Sequence, residues 1–181
     1  EHDHDRLMER ILLEAKDFTN ADAGTLYLKT DQDNLCFQIL RNDSLDIALS
    51  GTAELEIDFP EVPLLSEDGS PNLHNVASAA AHSGATINIK DAYSSTRYDF
   101  SGTKAFDERS GYRSTSFLTV PLKNHEGIVI GVMQLLNSQD KETGEVVPFD
   151  PDMEPLIDAL ASQAAVSLDN QMLLEAQKQL L

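Results

Sequence analysis

Few residues in this chain are of types that do chemistry, and their spacing narrows what that chemistry can be. Cys36 is the only cysteine, which excludes an internal disulfide, a paired-thiol redox centre and a CxxC metal knuckle, and fits a reducing compartment. It lies in the alternating run Leu35-Cys36-Phe37-Gln38-Ile39, where a small apolar side chain packs well, so a buried thiol is expected rather than a reactive one. His2 and His4 with Asp3 and Asp5 are metal-ligating types, but no further ligand follows at suitable local spacing, so no metal is expected. Asp107-Glu108 offers two carboxylates, yet adjacent side chains point apart and neither a nucleophile nor a glycine-rich phosphate loop accompanies them. Catalysis within the chain is therefore not expected. Arg41, Arg97, Arg109 and Arg113 are candidate anion contacts, because a guanidinium grips carboxylate or phosphate in two-pronged fashion. His74 and His82 flank a predicted helix and are candidate hydrogen-bonding groups for a ligand. The simpler reading pairs each arginine with a neighbouring acid and leaves the histidines on the surface.

The elements that must position these residues follow from hydrophobic periodicity. Leu7, Ile11, Leu12, Ala15 and Phe18 recur at helical spacing and predict an amphipathic helix over 5–20. The period then changes to two, predicting a hairpin of strands 24–29 and 35–40 around the turn-forming Thr30-Asp31-Gln32-Asp33-Asn34. Residues 41–73 carry Pro60, Pro63 and Pro71 with Gly51 and Gly69, a long irregular excursion with one short strand expected near 54–58. A short helix over 75–83 ending at Gly84 and a strand over 86–89 come next. The stretch 91–111 reads as a cover of loops with helical turns around 91–97 and 104–109. Strands 114–122 and 128–136 form a second hairpin, and Asp150-Pro151-Asp152 opens a helix from about 152 to 181. Leu173, Leu174, Leu180 and Leu181 on its far end predict pairing with a second copy.

The 181 residues fit one domain, 1–181, with apolar content sufficient for a core. Thirteen Lys and Arg against thirty-one acids give a formal charge of −18, which repels phosphate backbones and anionic lipid, so neither nucleic acid nor membrane is an expected partner. No stretch is apolar enough for a membrane span, and the acidic start is no signal peptide. A cytoplasmic location is expected. The chain lacks an initiator Met and reads as helix at both ends, so it is expected to be a segment of a longer polypeptide.

The predicted order is an α/β arrangement of the α+β type. It has a central antiparallel sheet, terminal helices on one face, and a ligand pocket under loops and short helices on the other. Three ordered motifs narrow the family: Asn88-Ile89-Lys90-Asp91-Ala92-Tyr93, then Phe106-Asp107-Glu108-Arg109-Ser110-Gly111-Tyr112 running on to Val120-Pro121-Leu122, then Gly131-Val132-Met133-Gln134-Leu135-Leu136-Asn137. Together they resemble a GAF domain, in particular the GAF modules of cyclic-nucleotide phosphodiesterases and cyclases and those of bacterial HD-domain phosphohydrolase signalling proteins. The resemblance implies a non-catalytic small-molecule sensor and dimerisation module of a larger cytoplasmic signalling protein, without a cofactor. By the family's pattern the ligand contacts fall on Thr25, Val76, Ala77, Asp107, Ser110, Ser114 and Gln134. Hydroxyls and helix-start N–H groups suit phosphate, while Asp and Gln edges suit a purine.

Two stretches depart from that pattern. Leu40 and Arg41 stand where the family's Phe-Asp pair closes the second strand. In the signature that begins at Asn137, Ser138 replaces Lys, the Phe falls near Val146, and Asp150-Pro151 replaces Asp-Glu. The alternatives implied are a cyclic-nucleotide-binding module regulating a phosphodiesterase or HD-type phosphohydrolase, a ligand-free dimerisation module, and a thiol-dependent enzyme. For the last, and for a bilin carrier, Cys36 is poorly placed.

Overall fold

A computed structural model describes residues 2–50 and 59–180. The strand expected near 54–58 lies outside the described residues. The first helix, α1 (His2–Thr19), begins earlier than expected and presents Met8, Leu12 and Ala15 to the core. Strands β1 (Ala21–Lys29) and β2 (Asn34–Asn42) form the first hairpin, and both exceed the expected lengths. Where an irregular excursion was expected, β3 (Ile47–Ser50) and β4 (Val62–Pro63) each pair antiparallel with β2. β2 is exposed as a template on its outer side, and the returning chain covers it.

Helix α2 (Val76–Ser83) begins one residue later than expected, because Asn75 caps it by accepting from the Ser78 N–H, and it stops as expected at Gly84, which takes the left-handed conformation with φ 67°. Strand β5 (Ile87–Ile89) follows. No helix forms over 91–97, where turns stand instead; Asp91 accepts from the Tyr93 N–H and ends regular structure there. The second expected turn grows into α3 (Ser101–Ser110). Strands β6 (Phe117–Lys123) and β7 (Val129–Gln139) form the second hairpin, and β8 (Val146–Val147) adds to the end of β7. A 3-10 turn (Pro151–Met153), capped by Asp150, leads into α4 (Glu154–Leu180), with Pro155 in the first turn where its missing N–H costs nothing.

The sheet runs β3-β2-β1-β7-β6-β5 with antiparallel neighbours throughout. Strand alternation divides its side chains between two faces. Leu26, Ile39, Met133 and Leu135 point to one face and pack with Leu12, Ile157 and Leu168 of α1 and α4. Each of these side chains is buried to within a few per cent, a gain of roughly 1.5–3 kcal/mol apiece. Val146, near which the family's aromatic was expected, is exposed, whereas Phe149 is buried in this core. The opposite face carries Tyr27 and Val132, on which Ala77 of α2 packs with Leu35 and Leu64.

The apolar surface of α4 outruns the sheet. Leu168 is its last buried residue, and Leu173, Leu174 and Leu180 are 58%, 54% and 87% exposed. Among the described residues, no helix is long and apolar enough to cross a membrane, and no group of three or more His, Cys, Asp or Glu is placed to hold a metal ion.

Candidate functional site

On the face away from α1 and α4, a cavity of about 620 Å³ opens between the sheet and its cover. Its floor follows from alternation along the central strands. Ala23, Thr25 and Tyr27 of β1 point into it, as do Leu40 and Asn42 of β2 and Gln134 and Leu136 of β7. Register puts Leu40 and Gln134 on either side of Thr25, so three consecutive strands contribute to one spot. The roof is α3, through Ser101, Gly102, Thr103, Phe106 and Arg109, and the walls are Phe59 to Pro63 and Asn72, His74 and Asn75.

A β-bulge decides one wall residue. The pairing of β1 with β2 shifts between Leu26, opposite Ile39, and Tyr27, opposite Phe37. The extra residue, Gln38, reverses the alternation, so Phe37 joins Ile39's opposite face and borders the cavity. There its ring lies 4.5 Å from that of Tyr27 and 5.2 Å from that of Phe59, centroid to centroid. These tilted contacts give an aromatic wall that the sequence did not place.

The floor is polar but uncharged. The Tyr27 hydroxyl donates to Gln134 Oε1 at 3.2 Å, and Gln134 Nε2 donates to Thr119 Oγ1 at 3.3 Å. That fixes the amide while leaving it one further N–H and one further lone pair. Thr25 is 6% exposed, and its hydroxyl has no hydrogen bond to another described residue. Burial pushes the Tyr27 hydroxyl far above its ordinary range, so it remains a neutral donor at any physiological pH. Tyr112 closes the far end, its hydroxyl donating to Asp22 Oδ2 at 2.7 Å; burial first, then Asp22, pushes it up as well.

Of the residues expected to contact a ligand, Thr25, Leu40, Arg41, Ser114 and Gln134 border the cavity, while Val76, Ala77, Asp107 and Ser110 do not. Arg41 turns its head away. It pairs with Gly24, whose added Cβ would meet Leu12 of α1, and cross-strand partners share a face. Its guanidinium accordingly donates to the Leu40, Leu49 and Ser50 carbonyls and lies 3.4 Å from Glu9 of α1. Asp107 is 4% exposed with both oxygens in use: Oδ2 accepts from the Tyr93 hydroxyl and the Ser114 N–H, and Oδ1 from the Ser114 hydroxyl at 2.8 Å. It braces the start of β6 against α3 and the loop before it. Ser110 returns its hydroxyl to the Phe106 carbonyl. Ala77 and Val76 pack into apolar clusters beside the cavity.

The remaining candidates are also placed. Arg97 and Arg113 lie over the rings of Tyr98 and Tyr93, the latter at 4.0 Å. His82 holds the Leu64 carbonyl, and His74 borders the cavity from an exposed position. Cys36, expected to be buried, is half-buried at the sheet edge and does not border the cavity. Burial, then the neighbouring Glu61, pushes its thiol up, which lowers the thiolate fraction at neutral pH.

Sequence reasoning missed Tyr27, Asn42, Phe59, Asp99 and Tyr112. Two of them were within reach, because Tyr27 and Asn42 follow Thr25 and Leu40 at a spacing of two.

An antiparallel sheet with two terminal helices on one face and a roofed cavity on the other defines a fold, and the sequence agrees with it: the chain belongs to the GAF domain family, which it matches over residues 3–168. The family is one of sensory and regulatory modules. Among curated proteins, the cGMP-specific 3',5'-cyclic phosphodiesterase of Drosophila ananassae is 26% identical over 181 residues, covering 97% of this chain and 14% of that protein. The dual 3',5'-cyclic-AMP and -GMP phosphodiesterase 11 of Drosophila melanogaster is 30% identical over 139 residues, covering 75% and 9%. The chain thus spans a small part of the curated relatives' length. Among solved structures, a GAF domain/HD domain protein from Geobacter sulfurreducens superposes with a TM-score of 0.62 at 16% identity, covering 94% of this chain and 95% of that one. The PixJ GAF domain of Thermosynechococcus elongatus in its blue-light absorbing form gives 0.64 at 14% identity, covering 99% and 92%. Identities this low carry the fold alone.

Proposed function

We propose that this chain is the small-molecule-sensing and dimerisation module of a larger cytoplasmic signalling protein, and that it performs no catalysis itself. Residues 1–181 act as one sensory unit, with a guest held in the cavity and its occupancy felt at α1 and α4. The observation that carries this reading is the cavity of about 620 Å³ with neutral polar groups in its floor, since pockets of ~300–1,000 Å³ with a few convergent polar groups suit small ligands. The sheet supplies the relay, because Thr25 and Gln134 face the cavity while Leu26, Met133 and Leu135, beside them on the same strands, face α1 and α4. A second reading, binding of a cyclic nucleotide, is supported by the phosphodiesterases among the relatives. A thiol-dependent enzyme is disfavoured by the position and raised pKa of Cys36.

Thermal-shift screening against purines, cyclic nucleotides, amino acids and small organic acids tests the sensor. A ligand at a hundred times its Kd adds ~2.7 kcal/mol to the folded state. Thr25→Val and Gln134→Leu, which remove the unpaired hydroxyl and the amide edge, should each weaken binding about tenfold, as expected for a lost hydrogen bond in a buried site. Unchanged affinity in both would place the guest elsewhere.

Pairing through the terminal helices rests on α4, whose 27 residues span about 40 Å at 1.5 Å per residue. Val166, Leu173 and Leu180 recur every seventh position along it, the spacing of a coiled-coil seam. The chain should therefore run as a dimer in light scattering at tens of micromolar. Leu173→Glu combined with Leu180→Glu should give a monomer with an unaltered ligand-induced shift; a wild-type monomer at that concentration would overturn the pairing.

A further inference from the structure

The floor of the cavity is banded across the strands, and the bands bear on what kind of guest it holds. Cross-strand partners share a face, so register sorts the floor into three rows. Tyr27 pairs with Phe37, and with Phe59 beside them these rings make an aromatic end. Two residues back along β1, Thr25 lies between Leu40 and Gln134. Two residues further back, Ala23 lies between Asn42 and Leu136, at the end that Tyr112 closes. At ~3.3 Å per residue the rows follow one another at about 7 Å, so the outer two are about 13 Å apart.

The buried groups left for a guest are neutral. The Thr25 hydroxyl has no hydrogen bond to another described residue, and the Gln134 amide keeps one N–H and one lone pair. Asn42, 4% exposed, is more narrowly defined. Its Oδ1 accepts from the Leu45 N–H at 3.0 Å, and because a backbone N–H only donates, the amide cannot turn its oxygen to the cavity instead. Asn42 is therefore a donor there. One of its two N–H groups is within reach of the Tyr112 hydroxyl, and the other remains for a guest.

Charge lies elsewhere. Arg41 spends its guanidinium on three carbonyls and lies against Glu9 on the other face of the sheet. Glu61, Asp99, Arg109 and His74 border the cavity from exposed positions and include both signs. The two helix starts reach the cavity through groups already engaged: α2 through Asn75, whose oxygen takes the Ser78 N–H, and α3 through Ser101, whose N–H goes to Asp99. An ion on the floor would thus be buried with no counter-charge among the described residues, which is costly.

We infer that the guest is an uncharged arylalkyl amide with a second carbonyl, lying along β1, and that Asn42 is the residue that reads its far end. The inference rests on the cavity being a ligand site. The ring of the guest packs against Tyr27, Phe37 and Phe59. One row on, an amide offers the donor and the acceptor that Gln134 and Thr25 can satisfy, and a further row on, a carbonyl accepts from Asn42.

Calorimetric titration of the chain with three probes tests this. The phenethylamide of levulinic acid carries a ring, an amide and a ketone in that order. The phenethylamide of valeric acid lacks the ketone, and the mono-phenethylamide of succinic acid puts a carboxylate in its place. The levulinic amide should bind about tenfold more tightly than either, the worth of one hydrogen bond in a buried site. Asn42→Asp keeps an acceptor for the Leu45 N–H but has no donor at neutral pH, and Asn42→Leu removes the donor without adding a charge near the Tyr112 and Asp22 pair. Both should erase the advantage of the ketone and leave the valeric amide's affinity unchanged. A succinic monoamide that binds as tightly as the ketone, or an advantage absent in the wild type or surviving in either variant, overturns the inference. If all three probes fail while another molecule gives a thermal shift abolished in Thr25→Val and Gln134→Leu, the inference falls and the sensor remains. If no molecule gives such a shift, both fall.

Discussion

Asp107→Ala should lower the melting temperature by about 6–12 °C. Removing this 4%-exposed carboxylate leaves the Ser114 N–H, the Ser114 hydroxyl and the Tyr93 hydroxyl without their acceptor. Stranding the two buried Ser114 donors and releasing the half-buried Tyr93 hydroxyl, all bonded to a charged group, costs ~3 kcal/mol in total, and ~2–4 °C accompanies each kcal/mol in a chain of this size. Tyr93→Phe removes one of the bonds without stranding a donor and should cost about 1 kcal/mol. Circular-dichroism melting of both variants checks the pair. A change below 2 °C in Asp107→Ala would show that the carboxylate is no brace. The same experiment separates the brace from a direct contact. Well below the transition, a brace gives weakened binding together with a lowered melting point, whereas a ligand contact gives weakened binding with the melting point intact.

The second large effect is at Gly131. An added Cβ would lie 2.3 Å from the Tyr27 carbonyl oxygen, a backbone atom of the neighbouring central strand, well inside any contact that real Cβ atoms make. β1 and β7 must then separate at the position between their pairs Leu28 with Gly131 and Tyr27 with Val132. Overpacking that only side chains absorb costs ~1–3 kcal/mol; a backbone clash should reach or exceed the top of that range. Gly24→Ala is the matched comparison, because its Cβ would meet the Leu12 Cδ1 at 2.7 Å, the end of a side chain that can rotate. About 1 kcal/mol is expected there. Urea unfolding should rank Gly131→Ala as the more damaging by at least 2 kcal/mol. Equal losses would mean that β1 and β7 separate at this position at no greater cost than a side-chain rotation. Gly131→Ala should also weaken ligand binding, since Thr25 and Gln134 sit opposite one another on those strands.

Most of the framework was legible in the chain itself. Helical spacing from Leu7 to Phe18 and from Leu156 to Leu180, two runs of alternation on either side of polar turns, and the stop and start signals at Gly84 and Asp150 are local signals with local causes. They sufficed for the two hairpins, the terminal helices and the short helix between them. The ordered motifs from Asn88 to Asn137 sufficed for the family. The excursion after Arg41 was read as irregular because β3 and β4 are only 4 and 2 residues long, and strands that short are held by β2 rather than by their own pattern.

The site was only half legible, and the reason is geometric. Alternation states that neighbours on a strand face opposite ways, but which set faces the helices depends on partners distant in sequence. Arg41 looked like an anion contact until its pairing with Gly24 placed it on the α1 side, against Glu9. Phe37 borders the cavity only because a bulge at Gln38 reverses the alternation of its strand. Asp107 carries the residue type expected of a ligand contact, yet Tyr93 and Ser114 converge on it from segments 14 and 7 residues away and use both its oxygens. Spacing along the chain thus determined the elements and their order, because hydrogen bonding and side-chain direction within an element are set by near neighbours. The tertiary structure decided which polar groups remain unpaired at the cavity, because that depends on which distant segments reach them first.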